Sequence, residues 1–125
     1  MRQTLLLLAM IAMPAGALEP EVTHFPDLAS GRAPLHTVVP AYPDKALSER
    51  VEGDVQVCFN VDRKGKPYRI AVRSSTHRVF EKPSRRAVRA STYKPLPEGQ
   101  KDSGIKTCRT FRFRLEPIEV SQPDS

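Results

Sequence analysis

The chain contains no tryptophan and only two cysteines, and aromatic residues fill just 6% of its 125 positions. Without tryptophan, a core has to be assembled from phenylalanine, tyrosine and aliphatic side chains. A domain of this size buries roughly 60–70% of the surface its unfolded chain exposes. The cysteines, Cys58 and Cys108, form no CxxC pair, the usual mark of a redox dithiol. No apolar run approaches the ~20 residues that a bilayer-spanning helix needs. The three histidines, His24, His36 and His77, have no metal-ligand spacing with each other or with the cysteines. No serine lies in a nucleophile elbow, and Asp62, Glu81 and Glu98 form no paired-carboxylate arrangement. The Arg63-Lys64-Gly65-Lys66 turn joins two strands, and so lacks the strand-to-helix setting of a phosphate loop. These absences argue against an enzyme and give no reason to expect a metal or a cofactor.

What is present begins with a leader. Arg2 precedes an apolar stretch of nine residues, Leu5 to Met13, and Ala15-Gly16-Ala17 supplies the small residues of a signal-peptidase site. Residues 1–17 therefore read as a signal peptide cleaved after Ala17, with a retained anchor as the alternative. No cysteine follows the small residues, which argues against a lipoprotein. Cleavage takes 17 residues from 125 and leaves 108, with the formal charge falling from +6 to +5 as Arg2 is lost. Export to an oxidising compartment makes a Cys58–Cys108 disulfide the default, with free thiols or a redox site as alternatives. The bond would close a loop of about 50 residues, for which chain entropy gives ~4 kcal/mol.

Three segments alternate like half-buried strands. Val55, Val57, Phe59 and Val61 interleave with Gln56, Cys58 and Asn60, and the turn chemistry of residues 62–67 makes residues 53–76 a hairpin. Its second arm sets Tyr68, Ile70 and Val72 against Arg69, Ala71 and Arg73. Residues 105–115 form the last strand, with Phe111, Phe113 and Leu115 alternating with Thr110, Arg112 and Arg114. A short helix is expected over residues 44–50, introduced by Pro43 and stopped by Gly53. A second is expected over residues 80–91, burying Phe80, Ala87, Val88 and Ser91 behind a basic outer face of Lys82, Arg85, Arg86 and Arg89. Cys58 and Cys108 fall on the wet faces of their strands, so a bridge makes the first and last strands neighbours. The expected fold is α+β: a three-stranded antiparallel sheet, ordered second, first, third, with two helices on one face. Residues 18–37, proline-rich and aperiodic, read as an extended, partly disordered lead-in, and residues 116–125 as an acidic tail.

The series Pro40-Ala41-Tyr42-Pro43, Ala46, Gly53-Asp54-Val55, Phe59-Asn60-Val61-Asp62, Gly65, Tyr93-Lys94-Pro95 and Thr110-Phe111-Arg112-Phe113 resembles the C-terminal domain of TonB-family energy transducers over residues 38–115. The resemblance implies a periplasmic domain of a Gram-negative bacterium. Such a domain grips a segment of an outer-membrane receptor by adding it to the edge of the last strand, the physics of β-augmentation. Arg109, Thr110, Phe111, Arg112, Phe113 and Arg114 would then form the partner-binding edge, with Arg112 and Arg114 framing the bound segment. The short leader departs from the full transducer pattern, which starts with a long membrane helix and a proline-rich span. Binding a protein of the envelope or outer membrane therefore carries over better than force transmission. A membrane-anchored transducer remains the alternative, as does a binder of anionic envelope components through the basic face and Arg69, Arg73, Arg112 and Arg114. Nucleic acid is not an expected partner of an exported protein, and an open sheet edge would allow a homodimer by strand pairing.

Overall fold

The computed structural model describes residues 18–27 and 29–117. The leader, residues 1–17, and residues 118–125 of the expected tail lie outside the described residues. The strands are β1 (Leu18–Pro26), β2 (Pro34–His36), β3 (Gly53–Val61), β4 (Pro67–Ser75), β5 (Thr92–Tyr93) and β6 (Thr107–Pro117). Between them lie helices α1 (Asp44–Ser48) and α2 (Glu81–Ala90), the latter entered through a 3-10 turn at Arg78–Phe80.

The main sheet is antiparallel, in the order β1-β6-β3-β4, and β2 and β5 form a separate short ribbon. The expected neighbours β4, β3 and β6 are present in the expected order. The three-stranded expectation is nevertheless corrected: the sheet has four strands, because the lead-in forms β1 and lies along β6. Nine consecutive Cα pairs, from Leu18 with Pro117 to Pro26 with Arg109, run without a register shift. Residues 18–26 contain no alternation that would announce a strand, since only Val22, Thr23 and His24 are half-buried. The segment is held by its pairing with β6 and not by an apolar face of its own.

The hairpin between β3 and β4 owes its geometry to Asp62 and Gly65. Asp62 Oδ1 accepts the N–H groups of Lys64 at 2.9 Å and Lys66 at 2.8 Å, while Gly65, at φ 93°, donates its own N–H to Asp62 O at 3.0 Å. The Tyr93 N–H in turn donates to Gly65 O at 2.9 Å, tying β5 to the turn. Pro43 stands at the cap of α1 in extended conformation, and the helix ends at Ser48, capped by Glu49, with the chain turning away at Arg50, which takes φ 54°, before Gly53 is reached. Pro83 falls in the first turn of α2, where a missing N–H costs nothing.

The core lies between one sheet face and the helices. Val55, Val57, Phe59 and Val61 of β3 and Phe111 and Phe113 of β6 meet Phe80, Ala87 and Val88, with Ala46 and Tyr93 at the margins. Phe80 stacks on Phe113 at 4.3 Å, and Tyr42 meets both rings edge-on at 5.7 and 5.6 Å. Cys58 and Cys108, directly opposite each other in β3 and β6, are joined in a disulfide.

Candidate partner-binding surface

β6 carries all six residues expected to bind a partner, and their alternation divides them. Phe111 and Phe113 are fully buried core residues. Arg109 shares their parity and is 1% exposed, so it faces the core side with its guanidinium 4.8 Å from the Phe111 ring centre. Its Nη1 donates to Ser91 Oγ at 3.1 Å. Burial pushes the Arg109 pKa below its ordinary value. The Arg109, Phe111 and Phe113 side chains therefore do not lie on a free rim, and only their main chain borders the neighbouring strands. The signal for Arg109 was in the sequence, two positions before Phe111.

Thr110, Arg112 and Arg114 occupy the opposite face, and both arginines are already engaged. Asp54 of β3 lies across from Arg112, and its Oδ1 is 3.6 Å from Arg112 Nε and 3.0 Å from Arg114 Nη2. Arg114 Nη1 donates to Gly53 O at 3.1 Å. The Arg112 guanidinium also lies 5.1 Å from the ring centre of Phe25, a half-exposed residue of β1. Arg112 thus holds an aromatic side chain from an added strand, and that strand belongs to the same chain.

The edge of β6 away from β3 is covered by β1, which corrects the expectation of an open edge on the last strand. The Asp27 N–H donates to Cys108 O at 2.9 Å, so by two-residue alternation the N–H groups of Phe25, Thr23 and Glu21 also face β6. Pro20 and Pro26 fall at the alternate positions, where the missing N–H lies on the outer edge and no bond to β6 is lost. That outer edge is guarded by its two prolines. The other outer edge, on β4, is irregular: its register with β3 shifts twice, it starts at Pro67, and Arg69 takes φ 52°. A regular ladder site for an extended segment is thus found on β6, beneath β1.

Two residues of the lead-in, buried Arg32 and half-buried His24, have packed roles that the sequence pattern did not announce. Arg32 is 6% exposed and donates from Nη1 to Val61 O at 2.9 Å and from Nη2 to Asp62 O at 2.8 Å, fastening the lead-in to the hairpin. His24 packs beside Arg109, and burial, then the Arg109 charge, lower its pKa from 6.5. An aperiodic, proline-rich setting gave neither residue a pattern to betray it. Lys82, Arg86 and Arg89 are exposed on α2, and Arg85 is half-buried there.

A solved solution structure, the Pseudomonas aeruginosa TonB C-terminal domain, is similar at 28% identity and a TM-score of 0.50, over 74% of this chain and 92% of that one. Among curated proteins none matches. The family described as Gram-negative bacterial TonB protein C-terminal matches residues 38–115, which leaves β1 and β2 outside the match and takes in both helices, β3, β4, β5 and β6 up to Leu115. The chain belongs to that family, the C-terminal domain of the Gram-negative bacterial TonB protein.

Proposed function

We propose that this domain is an exported, periplasmic protein-binding module that takes up an extended segment of an envelope or outer-membrane protein along β6, in the place β1 occupies. The β1–β6 pairing carries the reading. Here β6 accepts a nine-residue strand in continuous register, and what it accepts contributes little but main chain and Phe25. Of β1, only Val22 packs against the core cluster. Such a strand is held by hydrogen bonds that any extended peptide can supply, with pockets for alternate side chains setting preference. Cleavage after Ala17 would leave β1 with a free end at Leu18, so it could depart without a loop to open. The same exchange between two copies would give a homodimer.

Deleting residues 18–27 tests the reading, with synthetic N-terminal segments of outer-membrane receptors and a peptide of residues 18–27 as probes. The shortened chain should bind a receptor segment at least tenfold more tightly than the full chain. The residue 18–27 peptide should compete for the same site. Thr110→Pro removes an N–H that faces β1 and spares those facing β3, because Thr110 pairs with Phe25 at a ladder position of β1. It should abolish the gain while the far-ultraviolet spectrum is kept. Equal binding by the full and shortened chains, or capture that survives the proline, overturns the proposal.

A further inference from the structure

The lead-in, once folded, brings two guanidinium groups and an imidazole from separate segments around one small cavity. His24 of β1, Arg32 of the β1–β2 connection and Arg109 of β6 line a space of about 30 Å³, with Asp27, Tyr93 and Thr107 also in its wall. Four buried side-chain atoms lack a hydrogen-bond partner among the described residues: His24 Nδ1, Arg32 Nε, Arg109 Nε and Arg109 Nη2. All four belong to residues lining this cavity. Arg109 and Arg32 are 1% and 6% exposed, and the ion pairs among the described residues include neither. Asp27, the carboxylate in the wall, is exposed and accepts the Ala29 N–H at 3.0 Å instead.

Buried donors are met by acceptors, and buried charges by counter-charges, because leaving either alone costs much of the hydration free energy given up on burial. A guanidinium cannot escape that cost by losing its proton at any ordinary pH. Two guanidinium groups and an imidazole with spare donors around one cavity call for an acceptor bearing negative charge. Its size is fixed by the space, which holds a species about as large as one water and leaves no room for sulfate, phosphate or a nucleotide.

We propose that the cavity between β1, the Arg32 loop and β6 is a binding site for one halide-sized monovalent anion, chloride in the cell, held by Arg32, Arg109 and His24. Arg32 and Arg109 provide the charge and His24 a third donor, in its neutral tautomer protonated at Nδ1. The ion would tie the end of β1 to the body of the sheet. The site depends on no partner protein.

The test is thermal unfolding of the full chain as sodium chloride replaces sodium gluconate at constant ionic strength, joined to chloride NMR linewidths. A bound anion stabilises the state that binds it, so Tm should rise and level off, by about 5 °C at saturation. Bromide should substitute for chloride. The chloride resonance should broaden with folded protein and recover its width when urea unfolds the chain. Arg109→Met should lose both effects; should that variant not fold, the linewidth comparison between folded and unfolded wild-type chain decides alone. A Tm equal in chloride and gluconate, with no broadening, overturns the site. So does stabilisation by acetate without any by chloride, or a chloride effect retained in Arg109→Met.

Discussion

Gly65 meets two requirements that no other residue meets together. Its φ of 93° lies where side chains are rarely tolerated, and a Cβ placed there would run into the carbonyl group of Tyr93. Relaxing the turn to make room would break the Tyr93 N–H bond to Gly65 O that joins β5 to the hairpin. Gly65→Ala should therefore cost about 2–4 kcal/mol in urea unfolding. Gly65→Asn should cost a similar amount, although asparagine accepts positive φ, because the contact remains; recovery with asparagine would show that φ alone matters. His24 makes a second case, through pH. Its pKa in the folded chain lies below 6.5, first through burial and then through the Arg109 charge, with Arg32, Asp27 and Tyr93 also around the cavity it lines. The unfolded chain thus takes up the proton first on acidification. Stability is full above the unfolded value and is lost as pH falls through it toward the folded pKa. In chloride-free buffer, His24→Gln should flatten the fall in Tm between about pH 7 and pH 5. An unchanged slope would assign that fall to other groups.

Among the elements, β3, β6 and α2 were legible because each buries one face and wears that fact as a period. Val55, Val57 and Phe59 alternate, Phe111 and Phe113 alternate, and Phe80, Ser84, Ala87, Val88 and Ser91 recur at helical spacing, all of them buried. The same alternation put Cys58 and Cys108 on one face and so joined the right strands. β1 was not legible, for a physical reason: a strand that buries almost no side chain leaves no period, and its two prolines, Pro20 and Pro26, read as breakers until their N–H positions are known to face outward. The candidate site suffered most from this, since the edge of β6 looked open only while β1 was missing. The same weakness gives β1 a dynamic signature. Its opening exposes little apolar surface, whereas opening β3 or β6 exposes the core, so local and global unfolding should separate. Hydrogen exchange should release the amides of Glu21, Thr23 and Phe25 well before those of Val55, Val57 and Phe59. Release of both sets together would mean that β1 leaves only when the domain unfolds, and strand exchange along β6 would then be too slow to serve binding.

For the molecule as a whole, the disulfide decides what moves with what. Cys58 and Cys108 enclose β4, α2 and β5 in a loop closed between the two central strands, while β1 and β2 lie outside it. A closed loop of this length removes conformational freedom chiefly from the unfolded chain and is worth about 4 kcal/mol. For a domain with no tryptophan and one modest core, that is a large part of the margin. The bond also spans the β3–β6 pairing that must hold while the opposite edge of β6 changes its strand. Reduction should accordingly lower Tm by about 15 °C or more, since 1 kcal/mol moves Tm by about 4–8 °C in a domain of this size. It should do so equally in the full chain and in the chain lacking residues 18–27, because the cross-link and β1 act on different edges of β6. A shift confined to the full chain would mean instead that the bond matters for holding β1, and the division between a fixed body and an exchangeable strand would fail.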